Sequence, residues 1–315
     1  MDKRVNALAV RLRENVNRVV VGKQDTINLM LCALIAGGHV LLEDVPGTGK
    51  TLLAKALAAS LGMSFARIQF TPDLLPSDVT GLSVYNQQKG EFVFSPGAVF
   101  ANIVLADEIN RATPRTQASL LECMEERQVT VDGVTRPLEA PFIVLATQNP
   151  IETQGVFPLP EAQLDRFLMR LKPDYPTTEE AVGILMRFAA GDALAEIKPC
   201  AGREEVIQAQ KMRPQVHVSE AVMRYIAALC ERTRILEKVQ LGVSPRGMLR
   251  LMHACQALAL IRGRDFVTPD DVKYLSVPVL AHRVVVRGLY GHTGQGEAVI
   301  QEALAQTGAP TEADA

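Results

Sequence analysis

The chain has no tryptophan, five cysteines and aromatic residues at only 5% of its length. Its core must therefore be filled mainly by aliphatic side chains. Cys32, Cys123, Cys200, Cys230 and Cys255 are odd in number and scattered, with no C-x-x-C pair, which argues against a disulfide framework or a zinc site. They read as buried free thiols. The five histidines are equally dispersed, without metal-ligand spacing. An excess of charge is missing too: 33 Lys and Arg against 35 Asp and Glu give a net charge of -2. With no basic block suited to tracking a phosphate backbone, nucleic acid is a disfavoured partner. The longest apolar stretch, residues 29–42, is interrupted by Gly37, Gly38 and His39 and falls short of the roughly 20 residues that cross a bilayer. The first residues alternate charged with apolar side chains and lack the continuous apolar core of a secretory signal. No transmembrane segment is expected, and the expected location is cytoplasmic.

What is present is ordinary globular composition, 48% hydrophobic and 22% charged over 315 residues, a length that usually divides into two domains. From residue 5 to about 175, helical periods alternate with short apolar runs at 39–43, 65–70, 103–106 and 142–146. Such runs predict strands buried on both faces, hence an α/β fold with a mainly parallel sheet between helices. Pro173 and Pro176 then stop regular structure, and Thr177 with Glu180 has the spacing of a capping box. The expected division is an α/β domain over 1–175 and an all-α domain over 176–290. Helix starts in the second are signalled at Ser219, Ser244-Pro245 and Thr268-Pro269. Residues 291–315, rich in Gly, Ala, Thr and acidic residues, are expected to be a partly disordered tail.

The chemistry begins where the first apolar run opens into Pro46, Gly47, Thr48, Gly49, Lys50, Thr51 and Leu52. Glycines between a strand and a helix let backbone N–H groups approach phosphates, and the helix N-terminus adds a partial positive charge. Lys50 is positioned to reach the β- and γ-phosphates of ATP and Thr51 to ligate Mg²⁺. Asp44 stands where a phosphate loop usually has its first glycine; Asp tolerates positive φ better than most residues, but it brings a carboxylate near the phosphates. Fifty-seven residues after Lys50, an apolar strand ends in Asp107 and Glu108. Asp107 is expected to hold Mg²⁺ through water and Glu108 to polarise the attacking water. A third apolar run ends in Thr147-Gln-Asn149, whose Asn149 amide could align that water or sense the γ-phosphate. Arg246 lies in the first turn of a helix, where a cation opposes the helix dipole unless an anionic ligand is present. Two segments alternate around turn signals, 129–135 about Asp132-Gly133 and 83–94 about Lys89-Gly90, and read as hairpins.

These motifs in this order resemble the AAA+ ATPases, and residues 65–167 look specifically like the MoxR family. The resemblance rests on Arg67-Ile-Gln-Phe-Thr-Pro-Asp-Leu-Leu-Pro-Ser-Asp78, Leu105-Ala-Asp-Glu-Ile-Asn-Arg111, Leu120-Leu-Glu-Cys-Met-Glu125, Ala146-Thr-Gln-Asn-Pro150 and Leu159-Pro-Glu-Ala-Gln-Leu-Asp-Arg-Phe167. Ser244-Pro-Arg-Gly247, Gly263-Arg-Asp-Phe-Val-Thr-Pro-Asp-Asp-Val272 and Val279-Leu-Ala-His-Arg283 extend it through the helical part. It implies a P-loop AAA+ domain followed by a lid, assembled as a ring of six with ATP between neighbours. It also implies Asn149 as sensor 1, Arg246 as sensor 2, Arg166 as arginine finger and Val21-Gly22 at the adenine pocket. The implied role is chaperone-like remodelling of a client protein complex, with a von Willebrand factor A domain protein as partner. Two alternatives stay open: a nucleic-acid-dependent motor, which the weakly basic hairpin tips disfavour, and a nucleotide-switched scaffold with little turnover.

Overall fold

A computed structural model describes residues 3–43, 47–149, 155–173, 175–189, 191, 193–288 and 295–310. Its centre is a five-stranded sheet of β1 (Val40–Glu43), β2 (Phe65–Gln69), β3 (Ile103–Asp107), β4 (Ile143–Gln148) and β5 (Met169–Leu171). The order is β2-β3-β4-β1-β5, and every pairing is parallel. The apolar runs announced four of these strands. The fifth has only three residues with Arg170 in the middle, so no apolar run marks it.

Alternation along the strands divides the core into two layers. Val40 and Leu42, Ile103 and Leu105, and Ile143 and Leu145 join one buried cluster, while Leu41, Val104, Ala106, Val144 and Ala146 join the other. Such period-two sorting fits a sheet covered on both faces. The longer helices are α1 (Arg4–Asn17), α2 (Gln24–Ala36), α3 (Lys50–Leu61), α4 (Pro114–Glu126), α5 (Thr178–Ala189), α6 (Arg203–Met212), α7 (Glu220–Ile235), α8 (Pro245–Ile261), α9 (Pro269–Leu280) and α10 (Gln295–Gln306). One layer contains α4; the other contains α1, α2 and α3 and continues without a break into α8 and α9. The N-terminal helices thus share a core with the later helical part.

The caps fall where the sequence signals them. Ser219, Ser244 and Thr268 each accept a backbone N–H three residues on, and Thr177 and Glu180 exchange hydrogen bonds ahead of α5. Both hairpins form, pairing Gly81–Asn86 with Glu91–Pro96 and Gln128–Val131 with Val134–Pro137. Asp132 (φ 52°) and Gly133 (φ 73°) supply the positive dihedrals of a two-residue turn. Beyond residue 176 the described residues are mainly helical, with an antiparallel ribbon of Val239–Leu241 with Val285–Val286 and a single bridge between His217 and Phe266, each too short to register as a pattern. Four of the five cysteines are buried and all are free, with Cys200 half-buried.

Within the 291–315 segment, expected to be a partly disordered tail, the described residues include a helix. Gln295–Gln306 is a helix whose Val299, Ile300 and Ala303 are buried, and Glu297 pairs with Lys172 at 2.5 Å. The composition hid this because its small residues serve close packing. A Cβ on Gly296 would lie 2.0 Å from the carbonyl oxygen of Ala281, so only glycine allows α10 to approach that turn. Residues 311–315 lie outside the described residues. Gly296→Ala is expected to destabilise the protein by about 1–3 kcal/mol through overpacking. Chemical denaturation checks this, and an unchanged midpoint would show that α10 does not dock so closely.

Candidate functional site

The strand ends and the start of α3 enclose a cleft of about 450 Å³. On one side Gly47 (φ 89°) and Gly49 (φ 85°) hold left-handed backbone, with Gly49 capping α3. A Cβ on either glycine would meet nothing within 4 Å; the sign of φ, rather than crowding, demands glycine here. The first intrahelical bond of α3 runs from Leu53 N to Gly49 O. The N–H groups of Lys50, Thr51 and Leu52 precede it, and they border the cleft together with Thr48. Asp44 and Pro46, two residues of the expected loop, lie outside the described residues.

The facing wall carries the carboxylates. Asp107 ends β3, and Glu108 follows in left-handed backbone (φ 56°, ψ 49°), a conformation that costs a non-glycine residue about 1–3 kcal/mol. Thr147 on β4 holds the turn: its buried hydroxyl donates to Asp107 Oδ1 (2.6 Å) and accepts from Glu108 N (2.8 Å). Each carboxylate also has a cation. Arg67 donates to Asp107 Oδ2 from Nη2 (2.6 Å) and Nε (3.2 Å), and Arg111 Nε lies 3.1 Å from Glu108 Oε2. Gln69 links the two, accepting from Arg67 (2.9 Å) and donating to Glu108 (2.8 Å). At the next strand end, Gln148 donates to the buried Glu43 (2.6 Å), beside Arg170 and Lys172. Sequence reasoning overlooked Thr147, Arg67 and Gln69. Their signal was a polar residue within or at the end of a strand, which becomes informative only once register brings the strands together.

The structure divides the expected site residues. Gly47, Thr48, Gly49, Lys50, Thr51, Leu52, Asp107, Glu108 and Asn149 line the cleft. Val21 and Gly22 lie beneath α5, where a Cβ on Gly183 would approach Val21 and one on Gly22 would meet the Glu180 carboxylate at 2.6 Å. Leu52 joins this region to the cleft, since it also borders a small crevice with Val19 and Phe188.

Arg166 and Arg246 are not among the described residues that line the cleft. Arg166 donates to the carbonyl of Leu121 (2.6 Å) and borders a groove with Glu122, Glu126 and Gln163. Arg246 pairs with Glu125 and lies 3.5 Å from Asp165. The dipole conflict at the start of α8 is thus met by carboxylates of this same chain. Asp165 also accepts from the buried Arg283 (2.7 Å), which donates to the carbonyls of Asp165, Phe167 and Leu168. Burial pulls the Arg283 pKa down to about 10, against the opposing pull of Asp165, and the group remains charged at neutral pH. Neighbouring His282 meets the Phe167 carbonyl at 3.1 Å, and burial holds its pKa well below the usual imidazole value.

Positive-φ glycines before a helix N-terminus, paired carboxylates at the end of a strand one removed from β1 and a helical lid define an AAA-type ATPase. A model of the ATPase family associated with various cellular activities (AAA) matches residues 39–169, and an AAA lid domain model matches 224–303. The chain is 49% identical to uncharacterized protein YeaC of Bacillus subtilis, spanning 96% of this chain and 95% of that one. It is 43% identical to chaperone MoxR1 of Mycobacterium tuberculosis (86% and 74%) and 35% identical to protein MoxR of Paracoccus denitrificans (92% and 93%). A Cytophaga hutchinsonii protein solved at 2.00 Å superposes with a TM-score of 0.89 at 36% identity, over 98% of this chain and 97% of that one. The chain belongs to the MoxR family of AAA ATPases.

The Thr147 clasp is open to a direct test. Thr147→Val keeps the shape but leaves the Glu108 N–H without its acceptor, so it should destabilise the fold by about 1–3 kcal/mol and slow phosphate release from ATP. Thr147→Ser should preserve both. Denaturation midpoints and phosphate release measure the two effects, and wild-type behaviour of Thr147→Val would remove the clasp from the account.

Proposed function

We propose that this protein binds ATP with Mg²⁺ in the cleft, hydrolyses it, and uses the cycle to remodel client protein complexes. The observation that carries the reading is the glycine-framed N-terminus of α3 facing Asp107 and Glu108 across one cleft. Thr51 and Asp107 offer hard oxygen atoms suited to Mg²⁺, which takes few protein ligands and completes its shell with phosphate and water. Bound there, Mg²⁺ would neutralise charge on the phosphate oxygens. The N-terminus of α3 and the Lys50 ammonium bind the phosphates, Glu108 takes the proton of the attacking water, and Asn149 orients that water. Val21 and Gly22, under α5, serve the adenine.

Arg166 and Arg246 act, in this reading, on the ATP of a neighbouring subunit, since neither borders the cleft of its own chain. A ring, with six subunits as the stoichiometry the resemblance implies, then becomes a condition of catalysis. The chaperone name carried by the Mycobacterium tuberculosis relative supports remodelling as the output. So does the hairpin at residues 81–96, which exposes Leu82, Val84, Tyr85 and Phe92, apolar surface better suited to a protein than to a phosphate backbone. We extend the proposal to a von Willebrand factor A domain protein as partner, to the cytoplasm as location, and to 1–175 and 176–290 as the domain units.

Glu108→Gln should keep ATP binding and lose hydrolysis by about 10²–10⁴-fold, the usual weight of a general base. Hydrolysis at the parental rate would refute the assignment, and ATP binding without turnover in the parent protein would favour the switched scaffold. Stimulation of turnover by DNA at physiological salt would favour the nucleic-acid motor.

Arg166→Ala should lower turnover by about 10³–10⁵-fold while leaving ATP binding intact. Mixed with Glu108→Gln subunits, it should regain activity at interfaces that combine an intact Arg166 with a neighbour's intact Glu108. Verified co-assembly without recovery would reject action in trans.

A further inference from the structure

Asp107, the carboxylate read above as the metal holder, is already engaged at both oxygens. Oδ1 accepts from Thr147 (2.6 Å), and Oδ2 accepts from two nitrogens of Arg67 (2.6 and 3.2 Å). The two ends of the ion pair differ in freedom. The Asp107 side chain is 15% exposed and pinned by its strand, whereas that of Arg67 is 47% exposed and borders the cleft. Register places Gln69 of β2 opposite Asp107, so Arg67, two residues earlier on the same strand, reaches along the sheet edge to make this contact. A guanidinium is a planar, permanently charged donor that fits a carboxylate and is more weakly hydrated than an ammonium.

We propose that Arg67 is an internal counter-cation that competes with the metal for Asp107 and so sets the metal affinity of the site. A metal ion, or a water bound to it, that uses Oδ2 must displace a two-point contact. The half-exposed guanidinium can swing away without moving β2 or β3. With Arg67 on Asp107 and Arg111 on Glu108, two adjacent carboxylates are held in one cleft with balanced charge. The Asp107–Arg67 contact is the part of that balance the metal replaces. Arg67 is in this sense a positioning residue that acts through Asp107. The inference rests on the reading of Asp107 as metal holder, and its test separates the two.

The experiment uses the full chain with saturating ADP and Mn²⁺ as the probe, free Mn²⁺ being read by electron paramagnetic resonance. Arg67→Gln should tighten Mn²⁺ binding by about five- to tenfold, the scale of a half-exposed charge-assisted contact. Arg67→Lys keeps the charge but loses the two-point geometry, and should fall between Gln and wild type. Asp107→Asn should weaken Mn²⁺ binding by itself; if it does not, the metal reading of Asp107 fails whatever Arg67 does. In the Asp107→Asn background, adding Arg67→Gln should change nothing. Three results would overturn the inference: unchanged Mn²⁺ affinity in Arg67→Gln while Asp107→Asn weakens it; the same tightening in the double variant, which would mean a general field effect; or loss of ADP binding by Arg67→Gln in EDTA, which would make Arg67 a phosphate ligand.

Discussion

A parallel sheet covered on both faces can keep a polar side chain hydrated or bound to ligand only at the ends of its strands. In this protein β1, β3 and β4 are buried along nearly their whole length, and each turns polar at its carboxyl end: Glu43, Asp107 and Gln148. Parallel register sets these ends side by side, with Glu43 opposite Gln148 and Gln69 opposite Asp107. Thr147 occupies the last buried position of β4, so its hydroxyl must find partners within the protein. It finds Asp107 and the backbone of Glu108. The turn that aims Glu108 into the cleft therefore depends on the packing that buries Thr147.

Bringing acidic residues together has an electrostatic cost, which the site offsets with a cation for each carboxylate. Arg67 serves Asp107, Arg111 serves Glu108, and Arg170 with Lys172 serves Glu43. The Glu43 arrangement extends further, because Glu297 of α10 lies 2.5 Å from Lys172 and 4.0 Å from Arg170. An ion-pair network thereby joins β1, the strand that precedes the glycines at the start of α3, to helix α10. The close approach at Gly296 holds that helix in reach.

The helical lid grips the sheet domain at a second place, the segment that carries Arg166. Arg283 and His282 hold the carbonyls of residues 165, 167 and 168, and Arg246 reaches Asp165 and Glu125. Buried and multiply bonded, Arg283 is costly to remove because it would leave several carbonyls unsatisfied. The lid is thus tied directly to the backbone on either side of Arg166. The two arginines expected to act in catalysis share this junction, apart from the cleft that holds Lys50 and Glu108.

Local pattern in the sequence determined four of the five strands, the helix caps, both hairpins, the positive-φ glycines before α3, and the two carboxylates where β3 ends. Each of these depends on neighbours a few residues apart, so spacing and residue type suffice. The tertiary structure alone decided the rest. β5 was too short to read. Helix α10 was hidden by small residues whose purpose is contact with Ala281. Thr147, Arg67 and Gln69 acquire roles only through register between strands lying some forty residues apart. Arg166 and Arg246 could be named from the sequence, but their separation from the cleft of their own chain depends on how the lid packs against α4 and the segment before β5, a relation that no local spacing encodes.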